Sequence, residues 1–553
     1  MQKTKKKGFT LLELIIVIAI IVIFTVVALP KAAYTIKQAK YIGVNKNKQS
    51  LEGAVIIQYE KAYSESSTTD EAVENLYNKL ARNSDIANLI NPLNKNQKGL
   101  GLIKGSEYDN SDKAAYIFTE EPDKTTLPEG VVYVTVNSNS DIAELITPDI
   151  IQETKYYTFD VVANGTSSYY LRNDNTVYAT GSNSYGELGL GTTTNISIPA
   201  KVPIAPVKKI VPGEESVFFL LNNGDVYSSG RNDNGQLGQG DYAHASIPYK
   251  ALISNVKDIY TKKCTTFFIT DNGMLHSTGK NDKGQLGQGD YIVADRPYVL
   301  VLNAKAKSVA IGDAYTLVLT EQGDVYATGD NSVGQLGLGN TITVNTLTKV
   351  NITDVTVVVS SGKSSYFLKS DGTVYACGDN SNGQLGIGSF ENKSVPTKLN
   401  LTNIKSISLG TGHALFLTTN GDVYAVGLNN YGQLGTGDLA KKNTPFKLSI
   451  STAKTTIAGE YETYILTDNK EVYVTGSNKS GRLGLGINDA YISELEKVNI
   501  PGVKSIVVSN GMFFIVHNYT IIYACGLNNS GQLGLNDYAD TYVPEGVRLV
   551  YSE

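Results

Sequence analysis

Glu13 is the residue whose type and setting most demand a chemical explanation. It is the one carboxylate in "GFTLLELIIVIAIIVIF", inside an apolar run from Phe9 to Leu29 of about 21 residues, the length at which a helix spans a bilayer. A carboxylate placed there costs about 2.5–3.5 kcal/mol near mid-helix and usually has a function. The chemistry open to it is charge neutralisation: it needs a cation brought into the same apolar surroundings. Lys3, Lys5, Lys6 and Lys7 precede the run and should stay on the cytoplasmic side. A secretory signal fits poorly, because the run is too long and is followed by Pro30 and Lys31 with no small-residue cleavage site.

No other constellation supports catalysis. His244, His276, His413 and His517 are scattered without metal-ligand spacing, and Cys264, Cys377 and Cys525 are too few for a disulfide framework. "NDNGQLGQGD" and "NDKGQLGQGD" lack the distal Glu of a calcium loop and read as Asn/Asp-Gly turns. We expect no enzyme, no metal and no cofactor. The net charge of -5 argues against nucleic acid as the main partner.

The order Gly, aromatic, Thr, two Leu and Glu before an apolar run resembles the N-terminus of type IV prepilins and pseudopilins. That resemblance implies cleavage after Gly8 by a prepilin peptidase and methylation of the new N-terminus at Phe9. It also supplies the missing cation. In a bundle of subunits, Glu13 of one copy neutralises the Phe9 amine of another, so the burial cost is relieved only in the assembled fibre, in register. Further along, Leu51, Val55, Tyr59 and Ala62 keep helical spacing, which predicts a spine helix over residues 9–64, loosened at Pro30.

Residues 65–150 read as a small α+β head of pilin-like size. Thr68 and Glu71 form a capping box before "DEAVENLYNKLAR", and "AAYIFT" (114–119) and "VVYVTV" (131–136) read as strands. This segment has no cysteine, so it lacks the C-terminal disulfide loop of many pilins. "TPDIIQETKY" is a short connector.

Residues 156–553 are repetitive. Eight signatures, from "VYATGSNSYGELGLG" to "IYACGLNNSGQLGLN", are anchored at Tyr178, Tyr227, His276, Tyr326, Tyr375, Tyr424, Tyr473 and Tyr523. The period of about 49–50 residues and the strand-turn-strand pattern predict antiparallel blades of an all-β propeller. The signature resembles the regulator of chromosome condensation (RCC1) repeat. Members of that family usually have seven blades; two complete end repeats favour eight here, with seven as the alternative. The family often has Trp before the first signature glycine, where this chain has Thr180, Ser229, Thr278, Thr328, Cys377, Val426, Thr475 and Cys525. Cys377 and Cys525 are then small core residues of separate blades. Leu188, Leu237 and Leu286 read as core plugs. His413 matches a histidine common in the family; a structural hydrogen bond at a blade edge is the plainer reading of it.

One periodic position suggests recognition. Two residues past the last glycine position stand Tyr242, Tyr291, Phe390, Leu439 and Tyr538, with Thr193, Thr341 and Asn488 in the other blades. Equivalent positions share one face of a ring, so these five form a candidate ligand-binding rim; packing between blades is the alternative.

Size narrows the role. A head of ~90 residues is ~30 Å across and a propeller of ~400 is ~55 Å, too wide for every subunit of a tightly wound filament. The expectation is a minor pilin-like subunit, at the membrane as a single-pass protein before assembly and then extracellular. There, at the pilus tip, it displays the propeller for adhesion to a surface glycan or protein. The alternative is a structural cap that initiates assembly of a pilus or pseudopilus.

Overall fold

The computed structural model describes residues 158–500, 502–518 and 521–547, together with four strands between residues 102 and 146. The helix expected over residues 9–64, the helix after Thr68, the connector and the sites Gly8, Phe9 and Glu13 lie outside the described residues. The chain divides into two compact units at Lys155 and Tyr156.

In the first unit, β1 (Leu102–Lys104), β2 (Tyr116–Thr119), β3 (Val132–Val136) and β4 (Ala143–Ile146) form one sheet in that order. The first two pairings are parallel and the last is antiparallel. Strands β2 and β3 fall on the two segments read as strands from their β-branched and aromatic content.

The second unit is eight sheets of four consecutive antiparallel strands each, covering residues 158–201, 207–250, 256–300, 306–349, 355–398, 404–447, 453–498 and 505–546. Eight blades, not seven, make the ring. The second blade shows the plan: β9 (Val207–Gly213), β10 (Ser216–Leu221), β11 (Val226–Gly230) and β12 (Ala245–Lys250). The other first strands are β5 (Thr158–Ala163), β13 (Val256–Lys262), β17 (Ala306–Ile311), β21 (Val355–Ser361), β25 (Ile404–Leu409), β29 (Ala453–Ala458) and β33 (Ser505–Ser509). From β5 through β29 each first strand touches the next, and β33 touches β5, so these strands surround the axis.

The core lies between blades. Second strands are buried along their length, whereas fourth strands alternate between half-buried and exposed on the circumference. Eight apolar clusters form, one at each blade–blade junction. At the junction of the last and first blades, Phe514 and Leu533 pack with Val161 and Tyr170. The signature leucines Leu188, Leu237 and Leu286 are fully buried plugs. Cys377 and Cys525 are buried free thiols of separate blades.

Candidate functional site

Each signature spans a third strand and the long loop after it, and this loop positions everything on one face of the ring. A buried asparagine organises it. The Asn232 side-chain oxygen accepts from the Leu237 amide at 3.0 Å, and its amide nitrogen donates to the Asp241 carbonyl at 3.0 Å. Asn183, Asn281, Asn331, Asn380, Asn429, Asn478 and Asn528 make the same bond to their own leucine. The loop is thus tied by an Asx-type bond that replaces regular pairing. Its sequence signal is the Gly-x-Asn that all eight signatures share.

The loop then docks on the next blade. The Gly240 amide donates to Asp295 and that of Gly289 to Asn345, both at 2.8 Å. A Cβ on Gly235 would stand 2.5 Å from the Asp295 Cα, at a φ of +72°, so the signature needs glycine where the loop meets the next blade. Where the family often has Trp, the Thr278 and Thr328 hydroxyls donate to the carbonyls of Gly235 and Gly284 in the preceding loop, at 2.9 and 2.7 Å. A hydrogen-bonded small residue takes over the joint that a large ring would fill.

The five rim residues lie on these loops, one per blade. Tyr242 is 48% exposed, Tyr291 53%, Phe390 45%, Leu439 41% and Tyr538 52%. Each stands on its own loop, and they are not gathered into one pocket. Phe390 carries the Lys441 ammonium over its ring at 4.6 Å, and the Tyr538 hydroxyl points to the Asn195 carbonyl of the first blade at 3.5 Å.

The same face holds a cavity of about 630 Å³ at the mouth of the axial channel, a size that suits a small ligand. The turns between first and second strands supply Lys262, Asp313, Thr411, Tyr461 and Asn510, and the signature loops add Asn382. Lys263 is paired with Asp313 at 2.7 Å. Lys262 makes no ion pair among the described residues, and burial holds its ammonium below the usual lysine range. Tyr461 packs its ring against Tyr431 at 5.3 Å, and Tyr431 is exposed.

His413 faces this cavity from the start of a second strand. It is buried, and neither ring nitrogen has a hydrogen-bond partner among the described residues, which differs from the structural hydrogen bond expected of it. Burial pushes its pKa down to about 4, an effect only partly opposed by the Glu462 backbone, so the ring is neutral at pH 7. In the next blade Glu462 occupies the equivalent position and pairs with Arg482 at 2.6 Å, both buried. Among the described residues no group of His, Cys, Asp and Glu is arranged to hold a metal.

Comparison with known proteins agrees with this architecture. The prokaryotic N-terminal methylation motif matches residues 3–29. The regulator of chromosome condensation (RCC1) repeat matches residues 174–220 and 223–263, and the RCC1-like domain matches residues 296–552. Yeast RCC1 (Prp20), solved bound to Kap60, has 19% identity and a TM-score of 0.50, over 64% of this chain and 88% of that one. Human WBSCR16 has 21% identity and a TM-score of 0.49, over 60% and 97% of the two chains. The yeast structure speaks to fold alone. Among curated proteins none matches the chain. The chain therefore carries a prokaryotic N-terminal methylation motif of the prepilin kind ahead of an eight-bladed propeller of RCC1 repeats.

Proposed function

We propose that this protein is a minor pilin-like subunit whose propeller binds a ligand outside the cell, as an adhesin at the pilus tip. One observation carries the reading: a methylation motif that directs processing and fibre entry stands at the head of a closed ring with a cavity and exposed aromatics on one face. The motif implies a prepilin peptidase and other pilins as partners, and the cell membrane as the station before assembly. The propeller is a binding module in this reading, not an enzyme. A surface glycan or protein is its ligand, contacted by the channel mouth and the rim of Tyr242, Tyr291, Phe390, Leu439 and Tyr538. Polar groups beside the Tyr431–Tyr461 pair suit a hydroxyl-rich ligand.

Deleting residues 156–553 in frame tests this. Normal fibre numbers with lost attachment support the adhesin. Loss of fibres overturns it in favour of an assembly cap. Immunogold labelling of the propeller on isolated fibres separates tip from shaft.

A further inference from the structure

The opposite mouth of the channel carries a different chemistry. Near the start of the first strand, one residue is left out of the ladder. In blade 3 Val256 pairs with Thr270 and Asp258 with Ile269, so Lys257 is the extra residue of a bulge. Lys208, Lys307, Lys405 and Lys454 are the extra residues at the same point of blades 2, 4, 6 and 7. Lys504 directly precedes β33 at the equivalent place in blade 8. Thr356 takes the position in blade 5 and Phe159 in blade 1. Six of eight inner strands thus bring a lysine to one end of the axis.

These positions are neighbours around the ring. The Lys307 ammonium reaches the Thr356 carbonyl of the next blade at 3.2 Å. Lys504 is held below the usual lysine range by desolvation and then by the Lys454 ammonium of the blade before it. Lys208, Lys257, Lys405 and Lys454 are exposed and make no ion pair among the described residues. Asp160 and Asp258 stand beside the ring and both face Lys209, which bonds Asp258 at 2.6 Å, while Asp354, two residues before Thr356, pairs with Lys369 at 3.5 Å.

The outer lysines of the same face are treated differently. At the ends of fourth strands, Lys250, Lys349, Lys447 and Lys497 each pair with the acid of their own blade's second–third turn: Asp225, Asp324, Asp422 and Glu471, at 2.9, 2.8, 2.8 and 2.5 Å. Other acids of those turns, such as Asp271 and Asp371, also stand one or two strands outward from the axis. Four of the six lysines that end fourth strands are thus neutralised, whereas Lys208, Lys257, Lys405 and Lys454 near the axis have no ion pair among the described residues, and like charges there repel.

We propose that this ring of lysines is a binding site for a compact polyanion bearing several phosphate charges within about a nanometre. Charges arranged around a closed axis converge on one point, whereas a duplex or extended chain needs a track along a surface. The protein's net charge of -5 hides this local excess. The site is on the face opposite the cavity and does not rest on the adhesin reading.

Calorimetric titration of the full-length chain in detergent micelles with inorganic tripolyphosphate tests the proposal. Binding is expected at low salt, with affinity falling at least about tenfold between about 50 and 200 mM salt. Replacing Lys208, Lys257 and Lys454 together by Gln should weaken it roughly tenfold or more without moving the melting temperature, because these side chains are exposed. Lys349→Gln with Lys447→Gln, which removes paired outer lysines, should change it less than about twofold. No tripolyphosphate binding at low salt overturns the proposal, and so does an equal loss in both variants. Duplex DNA bound while tripolyphosphate is silent also overturns it, since that result requires a track.

Discussion

The backbone amide of Asn536 donates to the Ser197 carbonyl at 2.9 Å, tying the last signature loop to the outer strand of the first blade. The other seven signatures end on glycine at this point; Asn536 takes the same left-handed backbone, with φ of 69°. Asparagine is among the residues that tolerate it. The Ser168 and Thr180 hydroxyls add bonds to the carbonyls of Gln532 and Gly531, at 2.7 and 3.0 Å. No strand is exchanged between blades, so the ring closes by the same docking that joins every other pair.

If closure is a full junction, Gly531→Ala should cost as much as the same change inside the array. The new Cβ would lie 2.6 Å from the Ser197 Cα, and on Gly432 it would lie 2.4 Å from the Ser493 Cα, both at positive φ. We expect each to lose about 2–4 kcal/mol in urea unfolding. A Gly531 variant far milder than the Gly432 one would mean that the ring is held open or closes loosely.

Glu462 and Arg482 stand where the fifth blade has Ser364 and Gln384. Burial raises the Glu462 pKa, and the Arg482 guanidinium opposes that rise. Arg482→Gln alone strands a buried carboxylate and should cost about 3–5 kcal/mol. The double variant Glu462→Ser with Arg482→Gln reproduces the pair of the fifth blade and should recover most of that loss. A double-mutant cycle by chemical denaturation measures the coupling. Additive losses would show that the two side chains are not energetically paired.

His413 gives the propeller a pH dependence of known sign. Its folded pKa of about 4 is below the ordinary 6.5, so the unfolded chain binds the proton more tightly. Stability from this group is complete above about pH 6.5 and is lost as pH falls towards 4, by on the order of 3 kcal/mol. Glu462, with its raised pKa, acts in the opposite direction, so the comparison must be between parent and His413→Gln. Denaturation at neutral and mildly acid pH should show the parent losing more stability than the variant.

Much of the propeller was legible because its signals are local and repeated. Gly-x-Asn loops, buried leucines and alternating strands recur eight times, and both end signatures are complete, which is why eight blades follow from the sequence. The mouth cavity was not legible. Lys262, Thr411, Tyr461 and Asn510 lie in turns far apart in the chain and meet only because first strands gather around an axis. The lysine ring was hidden for a related reason: Lys208 and Lys257 look like ordinary surface charges until the bulge places them at one end of neighbouring inner strands. The rim from Tyr242 to Tyr538 was read from spacing, and the structure shows those residues exposed on separate loops.

The methylation motif predicts a separation between processing and assembly that single substitutions can reveal. Gly8→Val should block cleavage, so the chain stays in the membrane with its lysine head attached and mass spectrometry finds no methylated Phe9. Glu13→Ala should leave cleavage and methylation intact, because it alters neither the scissile bond nor the flanking lysines. What it removes is the only acid available to the Phe9 amine inside the apolar bundle. An unpaired amine there carries a penalty of the same order as the ~2.5–3.5 kcal/mol of a mid-membrane charge, so incorporation into fibres should fall about a hundredfold. Glu13→Asp keeps the charge but shortens its reach, and should recover part of the loss. Comparing the processed chain in membranes with that in sheared fibres measures both steps at once. If Glu13→Ala chains enter fibres as well as the parent, the acid is not the partner of the amine, and the register must be set by the apolar faces alone.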